Sequence, residues 1–200
     1  ELGGNAPFIV FDDADIDAAV QGALISKYRN SGQTCVCTNR IFVQDTIHDV
    51  FVDKLVAATA ELKMGNGLDE AVQQGPLVNE KAVEDVDRLV RLSTEAGAQV
   101  ALGGARSDLG PCYYQPTVLT GITPGMAVFR NEIFGPVAPV MSFSDEAEAV
   151  ALANDTEFGL ASYFYTRDIG RVWRVSEALD YGMVGVNEGI ISNEMAPFGG

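Results

Sequence analysis

Residues Phe8 to Cys37 read FIVFDDADIDAAVQGALISKYRNSGQTCVC: an apolar run, an acidic break, a helical period and a glycine turn that delivers a thiol. The run Phe8 to Phe11 shows no polar alternation, as expected of a strand buried on both faces. Asp12 or Asp13 can cap the helix that follows, whose inward stripe is Ile16, Ala19, Val20, Ala23 and Leu24. Lys27 and Arg29 fall near its C-terminal end, where cations suit the helix dipole. Gly32 ends the helix, and Cys35 comes next on a loop.

The same alternation continues along the chain. Arg40 to Gln44 reads as a strand. Asp49 to Lys63 reads as a helix with Val50 or Phe51, Leu55, Ala58 and Leu62 inward. Met64 to Val78 carries glycines and Pro76 and reads as loop. Asn79 caps a helix with Val83, Val86, Leu89 and Val90 on one face. Short strands are expected at Gln99 to Leu102 and Thr117 to Leu119, with longer ones at Val137 to Phe143, Ala161 to Thr166 and Met183 to Asn187. Helices are expected at Asp145 to Asn154 and Arg171 to Leu179. Strands alternating with helices predict an α/β fold, a mostly parallel sheet covered by helices on both faces. Nothing in the chain reads as a linker, so residues 1–200 are expected to form one domain.

With 200 residues, 47% of them hydrophobic and 20% charged, the composition is that of a soluble globular protein. A formal charge of −15 argues against nucleic acid and anionic membrane surfaces as partners. No apolar run approaches the roughly 18 residues that span a bilayer. Three cysteines do not make a disulfide framework, and they point to a reducing, cytoplasmic setting. The opening at Glu1 and the ending on Gly199-Gly200 read as those of a piece of a longer protein.

Cys35 is the strongest chemical candidate. The thiolate is the attacking form of cysteine and needs a partly open, polar site. The same residue can equally be a small buried hydrophobe, as most free cysteines are. Cys37, Cys112 and the single His48 match no common zinc spacing, so no metal is expected.

Three segments carry a resemblance: Glu1-Leu2-Gly3-Gly4, Gly32-Gln33-Thr34-Cys35, and Glu132-Ile133-Phe134-Gly135-Pro136. Together they resemble the aldehyde dehydrogenase superfamily, which shows all three in this order. Val184 to Gly189 and Pro197-Phe198-Gly199-Gly200 fit it too. The resemblance implies that Cys35 attacks an aldehyde, a hydride leaves for the nicotinamide of NAD or NADP, and Glu1 activates the water that cleaves the thioester. It implies that Glu132 accepts from the nicotinamide ribose and that Phe134 packs near the ring. Read without the family, Glu1 is an exposed terminal acid and Phe134 a core residue at a strand entry.

The run Gly-Gln-Thr-Cys-Val-Cys is similar to the succinate semialdehyde dehydrogenase branch. That likeness implies a small carboxylated aldehyde as substrate, with Arg29 and Ser192 on its carboxylate and Phe198 near the pocket. It also implies, in some members, a reversible Cys35–Cys37 disulfide that silences the enzyme. Arg29 alone would read as a helix-end cation and Ser192 as a loop serine. The family's phosphate-binding half and its tail, which helps form a homo-oligomer, have no counterpart in this sequence. The rival expectations are a cofactor-independent thiol hydrolase and a folded segment inactive by itself.

Overall fold

The computed structural model describes residues 3–200. Among them seven strands form one sheet: β1 (Ala6–Val10), β2 (Thr38–Gln44), β3 (Gln99–Leu102), β4 (Thr117–Thr120), β5 (Val137–Phe143), β6 (Ala161–Tyr165) and β7 (Met183–Val186). Their order is β3-β4-β5-β2-β1-β6-β7, and every neighbouring pair is parallel except the edge pair β3–β4. The helices are α1 (Ile16–Tyr28), α2 (His48–Ala60), α3 (Glu80–Glu95), α4 (Ala127–Arg130), α5 (Glu146–Asn154) and α6 (Ile169–Ala178). The expected class, a mostly parallel sheet with helices on both faces, is the observed one.

Alternation along the buried strands divides the core. Phe8, Val10, Ile41, Val43 and Val140 face α1 and α2, meeting Ala19, Val20, Ala23, Phe51 and Leu55. Ile9, Phe11, Phe42, Phe143 and Phe164 face the other helices, meeting Val83, Val86, Val90, Phe129 and Val175. Each such side chain removed from water contributes roughly 1.5–3 kcal/mol, which is why a strand covered on both sides carries no polar alternation. Among the described residues no helix is long and apolar enough to cross a membrane.

Several local expectations needed correction. Asp15, not Asp12 or Asp13, caps α1, accepting from the Ala18 N–H at 3.1 Å. Asp13 instead accepts from the Thr166 hydroxyl, the Arg167 and Asp168 N–H groups and Arg171, so it ties the end of β1 to the end of β6. Those donors and the Arg171 charge hold its carboxyl below the ordinary range despite the opposing effect of burial. On α2 it is Phe51 that is buried, while Val50 is half exposed; Thr59 is buried as well, and Ala58 and Leu62 pack partly buried against the same core. α1 stops at Tyr28 rather than at Gly32, because Asn30 and Ser31 turn left-handed, with φ of 50° and 56°.

One irregularity shapes the neighbourhood of Cys35. The β1–β2 register slips between Ala6 (opposite Thr38) and Pro7 (opposite Arg40), leaving Asn39 outside the pairing. Such a slip re-aims the side chains around it. Arg40 then lies wholly buried against the Phe42 and Phe129 rings. Its guanidinium donates to the carbonyls of Asn5, Leu152 and Ala153, the last two at the C-terminal end of α5, where a cation is favoured.

Candidate active site

Three of the segments singled out in the sequence lie just before the amino ends of parallel strands: Gly3-Gly4 precedes β1, Cys35 precedes β2 and Glu132 to Gly135 precedes β5, while Val184 to Gly189 runs through β7 into the loop after it. Because β5, β2 and β1 are neighbours in the sheet, their segments meet along one rim. Ligands in open α/β sheets usually bind at the carboxyl ends, so this rim is the opposite one.

The contacts between the segments are specific. The Gly4 N–H donates to a Glu132 carboxylate oxygen at 3.0 Å. A Cβ on Gly4 would run into the carbonyl oxygen of Cys35, and one on Gly3 would lie 2.8 Å from the other Glu132 oxygen. Only glycines permit so close an approach. Gly32, with φ of 76°, is pressed in the same way against the Gly135 carbonyl. Glu1 lies outside the described residues.

The loop that carries Cys35 is held on every side. Gln33 donates to the Asn30 carbonyl at 3.0 Å and accepts from the Val78 N–H at 2.9 Å. Ser31 donates to the Gly75 carbonyl at 3.0 Å. The Tyr163 hydroxyl donates to the Val36 carbonyl at 2.7 Å, and burial pushes that phenol's pKa up, so it stays a donor. The non-glycine residues with positive φ among the described residues are Asn30, Ser31, Phe134 and Asn187. The first two open the Cys35 loop, Phe134 neighbours Glu132, and Asn187 begins the loop after β7. Strain of this kind, of order 1–3 kcal/mol per residue, gathers at functional sites.

The three cysteines are thiols. Cys35 is partly exposed, as a nucleophile must be. Cys37 is buried; its sulfur lies 2.8 Å from the Thr34 hydroxyl and 3.7 Å from the Arg29 carbonyl. His48 follows the far end of β2, whose seven residues separate it from the Cys35 end by about 23 Å. The structure therefore keeps His48 apart from Cys35.

Glu132 and Phe134 line one wall of a cavity of about 380 Å³, facing Ala82, Asp85, Arg88 and Leu89 of α3. Phe134 is exposed rather than the core residue that its isolated reading suggests. An acceptor carboxylate beside an open aromatic face suits a ribose diol and a flat ring, so these residues fit a nicotinamide nucleoside.

Arg29 follows α1 directly and lines a second groove of about 350 Å³ with Gln21, Leu24, Ile25 and Gln74. Ser192 is exposed on the loop after β7. A Cβ on Gly189 of that loop would strike the main chain of Gly22 in α1, and Ile191 packs into the core below it. The loop thus rests on the helix that leads to Arg29. Phe198 is half exposed, and the glycines after it lie against Gly182 and Gly159.

Two residues of this rim escape a reading by sequence. Asn39 donates to the Asn131 carbonyl at 2.9 Å and accepts from the Ile133 N–H at 3.0 Å, bracketing Glu132. Lys27, expected to be a helix-end cation, is only 1% exposed. Burial pushes its pKa down to about 8, with the Glu132 carboxylate opposing the shift. Its position is visible in the stripe Val20, Ala23, Leu24, Lys27, which is the helix's inward period.

The chain belongs to the aldehyde dehydrogenase family, whose sequence pattern it matches over residues 1–200. It is 60% identical over its full 200 residues to the glutarate-semialdehyde dehydrogenase of Pseudomonas aeruginosa, of which it covers 41%. It is 58% identical, again over 200 residues, to the NADP(+) succinate-semialdehyde dehydrogenase of Escherichia coli, covering 42%. The crystal structure of succinate-semialdehyde dehydrogenase from Burkholderia pseudomallei superposes with a TM-score of 0.98 at 61% identity, over 99% of this chain and 41% of that one. The chain therefore spans about two fifths of the length of these relatives.

Proposed function

We propose that the whole protein oxidises short carboxylated aldehydes, succinate semialdehyde to succinate foremost, and that residues 1–200 are its catalytic domain. The observation that carries this reading is the meeting of the three segments: Gly4 is seated on the Cys35 main chain and hydrogen-bonded to Glu132. The names of the semialdehyde dehydrogenase relatives support the substrate class.

In this reading the Cys35 thiolate attacks the carbonyl carbon, and the new alkoxide takes a hydrogen bond from the Cys35 N–H. NADP or NAD, held mainly by the part of the protein outside this chain, supplies the hydride acceptor. Loss of hydride from the thiohemiacetal leaves a thioester on Cys35. Glu1, as general base, takes a proton from water, which adds to the thioester and expels the thiol, releasing the carboxylic acid. Glu132 accepts from the ribose hydroxyls and Phe134 covers the ring. Arg29 pairs with the substrate carboxylate, for which a guanidinium is well shaped, with Ser192 as second donor and Phe198 beside the chain. The Cys35–Cys37 disulfide would require the Cys37 sulfur to leave Thr34. We place the enzyme in the cytoplasm as a homo-oligomer, acting on a small aldehyde.

The test is cofactor reduction by the full-length protein with succinate semialdehyde, glutarate semialdehyde and an uncharged aldehyde of similar length. Preference for the two carboxylated substrates supports the reading. Equal turnover of the uncharged aldehyde would reject the role of Arg29 and Ser192.

A further inference from the structure

Tyr163 joins two parts of the site that the proposed reaction uses separately. In β6 it pairs with Phe8 of β1 and with Gly185 of β7. Paired positions share one face of a sheet, and Tyr163, 1% exposed, belongs to the core beneath α1. A Cβ on Gly185 would lie 2.7 Å from a methyl of Ile191 and 2.9 Å from the Tyr163 ring. A glycine inside a strand marks such a close approach. The loop after β7 therefore comes down at Ile191 beside the Tyr163 ring, one residue before Ser192.

The hydroxyl of the same side chain reaches the Cys35 loop, donating to the Val36 carbonyl at 2.7 Å. Thr34 to Cys37 form a turn closed by the Cys37 N–H on the Thr34 carbonyl at 3.0 Å, with Cys35 and Val36 at its centre. The Thr34 hydroxyl and the Cys37 sulfur, 2.8 Å apart, tie the turn to itself, whereas Tyr163 ties it to the sheet. Val36 is buried, so loss of the hydroxyl leaves an acceptor that the turn must move to satisfy. We propose that Tyr163 is a positioning residue that couples substrate selection to attack: its hydroxyl fixes the turn that aims the Cys35 thiol, and its ring seats the loop that presents Ser192 to the substrate carboxylate. The inference rests on the roles proposed for Cys35 and Ser192. Phenylalanine at this position keeps the seat and loses the tie to the turn; leucine loses both.

The experiment is steady-state kinetics of the full-length protein and its Tyr163→Phe and Tyr163→Leu variants, on succinate semialdehyde and on an uncharged aldehyde of similar length. Tyr163→Phe is expected to lower kcat about tenfold on both aldehydes, with each KM within about twofold of the parent. Tyr163→Leu is expected, besides, to raise KM for succinate semialdehyde about tenfold and to leave KM for the uncharged aldehyde within about twofold. If Tyr163→Leu does not fold, Ile191→Ala empties the same seat from the loop side and is expected to show the same KM split. An unchanged kcat in Tyr163→Phe, or a KM that rises equally for the two aldehydes when the seat is emptied, overturns the proposal. If Ser192→Ala leaves KM for succinate semialdehyde unchanged, or Cys35→Ala still reduces cofactor, the underlying role of that residue itself fails.

Discussion

The Gly4 N–H and the Glu132 carboxylate meet at 3.0 Å across 128 residues of sequence, and Gly4 leaves no room for a Cβ against the Cys35 carbonyl. One backbone position therefore sets the distance between the Cys35 loop and the Glu132 carboxylate. Gly4→Ala is expected to push the Cys35 loop outward and lower kcat by about a hundredfold, since small misplacements at a reacting centre are amplified. Steady-state kinetics alongside far-UV circular dichroism would check this; a fully active, folded Gly4→Ala enzyme would contradict it.

Asn39→Ala removes the clamp on both sides of Glu132 and the 2.5 Å contact to Asn5. Unmet buried groups cost roughly 1–3 kcal/mol each. A loss of about 2–4 kcal/mol in chemical denaturation is expected, together with weaker cofactor binding. Undiminished cofactor affinity would show that the clamp serves stability alone.

Lys27 gives a pH-dependent prediction. Its folded pKa is depressed to about 8 from the ordinary 10.5, mainly by burial. Below pH 8 it is protonated in both folded and unfolded chains, and the folded state bears the full penalty. As pH rises from about 8 toward 10.5 the folded state sheds the proton first, and the penalty fades. Lys27→Met is thus expected to stabilise the fold at neutral pH, by up to about 3 kcal/mol, with the advantage shrinking above pH 8. Urea midpoints of the two proteins across that range provide the check, and an advantage independent of pH would refute the linkage.

Arg29 lines its groove partly exposed, without a role in the core. Arg29→Ala is expected to raise KM for succinate semialdehyde by about 10–100-fold, the worth of a charge-assisted hydrogen bond, and to spare an uncharged aldehyde. Equal losses on both substrates would assign Arg29 to the loop's structure instead.

How far the sequence could be read depended on the range of the physics involved. Val137–Phe143, the cap Asn79 and the helix expected over Asp145 to Asn154 rest on local patterns that packing did not overturn. Ala127–Arg130 is a single turn, too short to display a period. The Asp13 error arose because neighbouring acids compete to cap α1, and the partners that claim Asp13 lie more than 150 residues away. The meeting of Gly4, Cys35 and Glu132 follows from strand order, which no local pattern specifies. The register slip that frees Asn39 to grip the Glu132 segment is likewise a product of the assembled sheet, whereas the burial of Lys27 follows the inward period of α1.

The most direct measurement is the rate of cofactor reduction by full-length protein and by its Cys35→Ala variant, with succinate semialdehyde as substrate. Steady reduction is predicted for the first and only background for the second, with the fold and cofactor binding of the variant intact. Reduction that survives loss of the thiol, or a folded parent with reduced Cys35 that oxidises no short aldehyde, would contradict a Cys35-based oxidation.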